Sequence, residues 1–374
     1  MPRSPHSAIP GHPGSLLEFV SCSSHCVAPS GGGSPIVVRG KKGLFSIDIH
    51  CHVLSRRAEA HIGANHKGEK PQQLLFANAL TRQVAQKQIQ TIAAKHTEMS
   101  ERFNEMDRTS VDMQVLSPAP THYYYFAEPG VGRDACRLVN DDIAAMAATD
   151  PKRFLAFGTL PLQDTDLAVE ELRRCVKQLG MRGVEINSDV NGEELSNPRL
   201  EPFFAAAEEL GIVIFLHPTG FNHKRFGEHY FSNVIGNPLN STIAVSYLIF
   251  DGTLERHPGL KIVVAHGGGF LASYQARMDH AHGAREDCRV NITRAPSDYL
   301  RRLYFDTVVF DPEHIGYLAR RFGTDHILLG TDFPYDMAED DPVGLVMRAP
   351  GLTDAERSAI CGGNAARLLG IDLK

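Results

Sequence analysis

The sequence predicts an α/β chain, a distorted (β/α)8 TIM barrel with an insertion after its first strand. Three observations predict it. Eight short runs of β-branched and aliphatic residues, at 45–50, 111–116, 153–160, 181–186, 212–217, 261–266, 302–308 and 326–331, alternate with helical patterns. Four of the runs end in a side chain able to ligate a metal. Roughly 60 residues separate the first two runs, far more than a loop and one helix require. Strand followed by helix implies parallel pairing, and eight such strands close into a barrel whose site lies where the strands emerge into loops.

Residues 1–40 are rich in Ser, Pro and Gly and end in Pro29-Ser30-Gly31-Gly32-Gly33-Ser34-Pro35. That composition cannot bury enough apolar surface to offset its ordering entropy, so it reads as a disordered leader before a catalytic domain at 41–374. The first strand runs into Asp48-Ile49-His50-Cys51-His52. Side chains two apart on a strand share a face, so His50 and His52 can reach one ion while Cys51 points away. Residues 53–100 form the insertion, which should lie near the active site; it is polar to Pro71 and helix-like from Gln72, with no strong amphipathic stripe.

After the second strand, His122-Tyr123-Tyr124-Tyr125-Phe126 either covers a conjugated substrate or packs on the insertion. Helices are expected at 165–179, where Leu167, Ala168, Leu172, Val176 and Leu179 mark one face, and at 198–210, opening after Asn197-Pro198. The fourth strand, Met181–Ile186, contains no Lys to bridge two metals, which favours a single ion; Glu185 is the alternative bridging group there. The fifth strand ends in His217-Pro218, the sixth in His266-Gly267 and the eighth in Thr331-Asp332. Asp306, beside Tyr304 and Phe305 on the seventh, reads as structural.

A divalent ion in a catalytic site is held by three or more N/O ligands with a position left for water or substrate. His50, His52, His217 and Asp332 supply such a set. Each alone could be a hydrogen-bonded structural residue or a loop cap; their three strand ends and that of His266, four converging on one barrel mouth, make them a site. His266 opens Gly267-Gly268-Gly269, a run that lets backbone and substrate approach closely, and it suits a general acid/base beside a metal-bound water. A fifth metal ligand or a helix cap are its other readings.

With 374 residues, 43% of them hydrophobic, the chain can bury one large core. The formal charge of -6 is mild and the basic residues are scattered, which argues against a nucleic-acid partner. No apolar stretch reaches the ~20 residues of a membrane span, and Ser15–Val20 is too short and acidic for a signal peptide core, so a cytoplasmic protein is expected. The seven cysteines follow no disulfide framework, and Cys22, His25 and Cys26 lack a second ligand pair at zinc-finger spacing.

Taken together, these residues resemble the amidohydrolase superfamily, and within it the branch of 2-amino-3-carboxymuconate-6-semialdehyde decarboxylase and its relatives. The most specific stretches are Asp48–His52, Phe103–Asp107 through Val111–Val115, Gly158–Asp164, His266–Gly269, Ala276–Asp279, and Tyr304–Asp306 through Gly330–Pro334. The resemblance implies one divalent ion, Zn2+ or alternatively Mn2+ or Co2+, held by His50, His52, His217 and Asp332, with proton handling by His266. In the family two arginines grip substrate carboxylates, and one falls in the segment of Arg277 and reaches across a dimer interface. Arg277 is therefore expected to bind substrate in a homodimer. Where the second arginine should fall, before Met106, this chain has Gln90, with Arg82 and Lys87 upstream. The implied activity is a metal-dependent decarboxylase, a carbon–carbon lyase acting on a small unsaturated or aromatic carboxylic acid in a catabolic route. Rival readings are a hydrolase of a lactone, amide or ring-cleavage product using the same site, and a non-catalytic metal-binding protein.

Overall fold

The computed structural model describes residues 44–70 and 74–372. The expected leader at 1–40, and with it Cys22, His25 and Cys26, lies outside the described residues. Eight strands form one sheet: β1 Ile47–Val53, β2 Met113–Pro118, β3 Phe154–Gly158, β4 Gly183–Ile186, β5 Val213–Leu216, β6 Lys261–Val264, β7 Tyr304–Asp306 and β8 Ile327–Leu328. Each overlaps one of the eight hydrophobic runs. Neighbours in sequence pair in parallel from β1 to β8. The chain leaving β8 then returns to β1, with Ile49 N donating to Leu329 O at 2.9 Å and Asp332 N to His50 O at 2.8 Å. Those bonds close the (β/α)8 barrel, and they join the two segments that carry His50 and Asp332.

All seven residues of β1 are buried. A strand covered on both faces reads as a near-continuous apolar run, which is why the runs were visible. Strand β1 continues to Val53, past the predicted end at residue 50, because His50 and His52 are polar in type yet fully buried. Alternation sends Ile47 and Ile49 into an apolar cluster with Leu328, Leu368 and Leu369, while Asp48, His50 and His52 turn to the other face.

Between β1 and β2 lie three helices, α1 Arg56–Asn65, α2 Ala79–Thr97 and α3 Met99–Thr109. Asn78 caps α2 by accepting from Thr81 N at 2.7 Å. Along its 19 residues α2 buries only Ile92 and His96, whereas Leu80, Val84 and Ile89 are exposed. A helix so lightly packed leaves no amphipathic stripe to read. The expected helix at 165–179 is Thr165–Lys177, and that at 198–210 begins as a 3-10 turn, Pro198–Leu200, before Glu201–Leu210. No described helix is long and apolar enough to cross a membrane.

Candidate metal centre

His50 and His52 from β1, His217 just beyond β5 and Asp332 just beyond β8 are all buried, and each offers a ligand atom within 4.8 Å of the others. Hydrogen bonds fix how the two β1 imidazoles present themselves. His50 Nδ1 lies 2.6 Å from Asp306 Oδ2, and His52 Nδ1 lies 2.9 Å from the carbonyl of Pro118. Both partners are acceptors, so in each neutral ring Nδ1 carries the proton and Nε2 keeps the lone pair that a cation would take. The two Nε2 atoms are 3.2 Å apart, and Asp332 Oδ1 is 3.3 Å from one and 3.2 Å from the other. Three lone pairs thus meet at one point. Both nitrogens of buried His217 and Oδ1 of Asp332 have no hydrogen-bond partner. Buried polar atoms are normally satisfied, and the group that satisfies this set is a cation. Three imidazole nitrogens and a carboxylate suit a divalent metal ion.

The electrostatics agree. Burial acts to lower the His50 pKa, but the carboxylates of Asp332 and Asp306 outweigh it and lift His50 to about 10. Burial also opposes ionisation of Asp332, yet His50, His266 and His52 hold it well below the carboxylate range. His217 is pushed well below the usual imidazole range by burial and by its neighbours His52 and His50, so it keeps a free lone pair. The field at this point calls for positive charge, and His217 does not provide it.

A buried scaffold aims the ligands. Asp48 accepts from His50 N at 3.0 Å, Thr331 N at 3.0 Å, Thr331 Oγ1 at 2.7 Å and Gln114 Nε2 at 3.0 Å, tying β1 to the residue before Asp332. Fully buried Arg102 on α3 donates to His52 O at 2.6 Å and Gln114 Oε1 at 2.9 Å, and its guanidinium lies 4.9 Å from the Phe333 ring centroid. Asp306 is buried, as a structural residue should be, but its contacts belong to the site. It orients His50 and accepts from Gly267 N at 2.9 Å, beneath His266. Its position at the end of a strand, like the ligands themselves, was the available signal. Cys51 points away as expected, its thiol donating to Val115 O at 3.3 Å.

His266 stands at the edge of this group. Its Nε2 is 3.6 Å from Asp332 Oδ2, its ring centroid is 5.1 Å from that of His217, and its side chain is 12% exposed. Both His266 (φ 56°) and Asp332 (φ 64°) adopt the left-handed region, sparsely used by residues with a Cβ, and such strain concentrates at functional sites. The glycines after His266 serve a different purpose from the one their spacing suggested. A Cβ on Gly268 would sit 2.6 Å from the Phe305 ring, and one on Gly269 2.2 Å from Pro238 O. The run packs the turn tightly against the barrel instead of opening a path for substrate.

A chamber of about 190 Å³ lies over His217 and Asp332, walled by the loops after β2, β5 and β8 and by Leu74, Ala85, Gln88 and Ile89 of the β1–β2 segment. An adjoining cavity of about 1070 Å³ shares Pro120, Thr121, Thr219 and Gly220 with it but contains none of the four ligands. Tyr123, Tyr124 and Tyr125 line that larger cavity and not the chamber. The Tyr123 hydroxyl bonds to Glu185, and Tyr123 stacks on Tyr125, so this aromatic run packs. Glu185, raised to about 7 by burial, lies 3.7 Å from His52 Nδ1 and outside the four-residue group. Arg277 is exposed on the helix Leu271–Ala284 and lines neither cavity; Gln90, Arg82 and Lys87 are exposed as well. Sequence reasoning passed over Gln88, Asn237 and Tyr335, chamber residues that belong to no motif.

Comparison with known proteins extends the likeness. The amidohydrolase family pattern matches residues 47–371. A 2-amino-3-carboxymuconate-6-semialdehyde decarboxylase from Dictyostelium discoideum is 36% identical over 273 residues, covering 72% of this chain and 76% of that protein. A gamma-resorcylate decarboxylase from Rhodococcus jostii is 27% identical, over 72% of this chain and 87% of its own. Among solved structures, the 5-carboxyvanillate decarboxylase of Sphingomonas paucimobilis superposes with a TM-score of 0.79 at 26% identity, covering 88% of this chain and 100% of that one.

Proposed function

Because the chain belongs to the amidohydrolase family, we propose that the metal centre serves a carboxy-lyase that removes CO2 from an unsaturated or aromatic carboxylic acid in catabolism. The observation that carries this reading is the meeting of His50 Nε2, His52 Nε2 and Asp332 Oδ1 within 3.3 Å, with His266 beside them. His50, His52, His217 and Asp332 would hold one ion, Zn2+ by ligand type, with Mn2+ or Co2+ as alternatives. Bound there, the ion would supply Lewis-acid stabilisation for the negative charge that develops as the C–COO⁻ bond breaks. His266 gives its proton to the carbon that loses CO2, the new C–H bond taking a π pair from the conjugated system, and the electron pair of the breaking C–COO⁻ bond then refills that system. Asp306 keeps His50 in one tautomer throughout.

The purified enzyme, loaded with Zn2+, should release CO2 from at least one acid in a panel of carboxymuconate and hydroxybenzoate types, with no ¹⁸O from labelled water in the organic product. Entry of ¹⁸O into a new carboxylate without CO2 would assign the same site to a hydrolase.

Arg277 completes the reading. Being exposed and outside the chamber lining of its own chain, it would serve the substrate site of a second subunit in a cytoplasmic homodimer. Mixing an Arg277→Ala variant with a His217→Ala variant should then restore part of the lost activity through hybrid dimers. A mixture no more active than its components, once subunit exchange has been shown, removes Arg277 from the site.

A further inference from the structure

We propose that Gln88 and Asn237 read a ring substituent of the substrate and select a neutral hydroxyl over a second carboxylate. The proposal rests on the decarboxylase reading of the metal centre and names the substrate class that this chain's chamber fits.

Asn237, in the first turn of the helix Gly236–Phe250, is only 9% exposed and lines the chamber over His217 and Asp332. Its Oδ1 is buried without a hydrogen-bond partner. Gln88, on α2, lines the same chamber, and its Nε2 is likewise buried and unpartnered. A spare acceptor on buried Asn237 and a spare, buried donor atom on half-buried Gln88 match what a hydroxyl offers, since it donates one hydrogen bond and accepts others. The loop opposite is fixed in place: Asn240 Nδ2 donates to Gly220 O at 2.6 Å, and a Cβ on Gly236 would lie 2.9 Å from Phe221 N. Gly220 also lacks the Cβ that would stand 3.7 Å from Asn237 Oδ1, which leaves that oxygen open.

Charge decides against a second carboxylate. Among the described residues lining the chamber there is no Lys or Arg, while Asp332 and Asp336 are both there. Planar two-point binding of a carboxylate is the work of a guanidinium, and a neutral amide provides neither the geometry nor the charge. One anionic group of the substrate can face the metal ligands and the Arg277 proposed to reach in from a second subunit; whatever faces Gln88 and Asn237 is neutral and hydrogen-bonding.

Nitro compounds, which mimic the reacting carboxylate but release no CO2, separate binding from turnover. Calorimetry on the full, Zn2+-loaded chain would compare 2-nitroresorcinol, 2-nitrophenol and 2-nitroisophthalate. The wild type should bind 2-nitroresorcinol most tightly. Asn237→Leu and Gln88→Leu should each weaken that binding about tenfold and change 2-nitrophenol less. Gln88→Arg should improve 2-nitroisophthalate. Metal content and melting temperature check each variant's integrity, and Gln88, on the lightly packed α2, carries the test should the Asn237 variant fail to fold. Unchanged affinity for 2-nitroresorcinol in the Gln88 variants, or a wild-type preference for 2-nitroisophthalate, overturns the proposal. Failure of the decarboxylase reading would look different: these affinities would still discriminate while no acid released CO2.

Discussion

Replacing Asp332 with Ala should remove metal and CO2 release together. Its Oδ1 approaches both β1 imidazoles, and its carboxylate is the strongest charge lifting His50 against the effect of burial. Without it, three neutral imidazoles face one another with no anion to balance a dication. Loss of residues that merely orient a metal ligand typically costs about 10–100-fold in affinity, so loss of the one anionic ligand should exceed about 100-fold. Mass spectrometry of the purified variant, dialysed against buffered free Zn2+, should find far less than one equivalent per chain, where the wild type holds close to one. Asp306→Asn offers a graded comparison, since it keeps all four ligands and disturbs only the partner of His50 Nδ1. It should fall within the 10–100-fold range. An Asp332→Ala protein that retains a full equivalent and its turnover would remove Asp332 from the metal set, and two equivalents in the wild type would end the single-ion reading.

The residues whose placement was legible beforehand are those fixed by strand geometry. A parallel strand buried on both faces is written in aliphatic residues, so a His or Asp at its end stands out, and the barrel brings such ends together. His50, His52, His217 and Asp332 were legible for that reason. Arg102 was not, because its partners, Gln114 and the His52 carbonyl, are set by how α3 lies across β1 and β2. Asp306 ended a strand too, but its aromatic neighbours suggested packing, and only the 2.6 Å contact with His50 shows what it orients. Gln88 and Asn237 sit on helices, where nothing in a local pattern says which exposed-looking amide will meet a cavity. Their chamber depends on how α2 hangs over the barrel mouth, a placement made by few buried residues and therefore absent from the hydrophobic pattern.

His266→Ala should separate metal binding from chemistry. His266 lies outside the four-residue group, its nearest carboxylate contact is 3.6 Å, and its ring is partly exposed beside Asp332. The variant should therefore keep close to one equivalent of Zn2+ while turnover falls by about 10²–10⁴, the usual worth of a positioned general acid. His266→Asn, which preserves some hydrogen bonding and tolerates the left-handed backbone at φ 56° better than Ala, guards against a folding artefact. Both variants should lose the same large factor in kcat with little change in substrate affinity. Loss of the metal in both variants would place His266 among the ligands. Full turnover with the metal retained would mean that the proton reaches carbon by another route, and Tyr335, whose ring packs 5.3 Å from that of His52 and which lines the chamber, would be the next residue to replace.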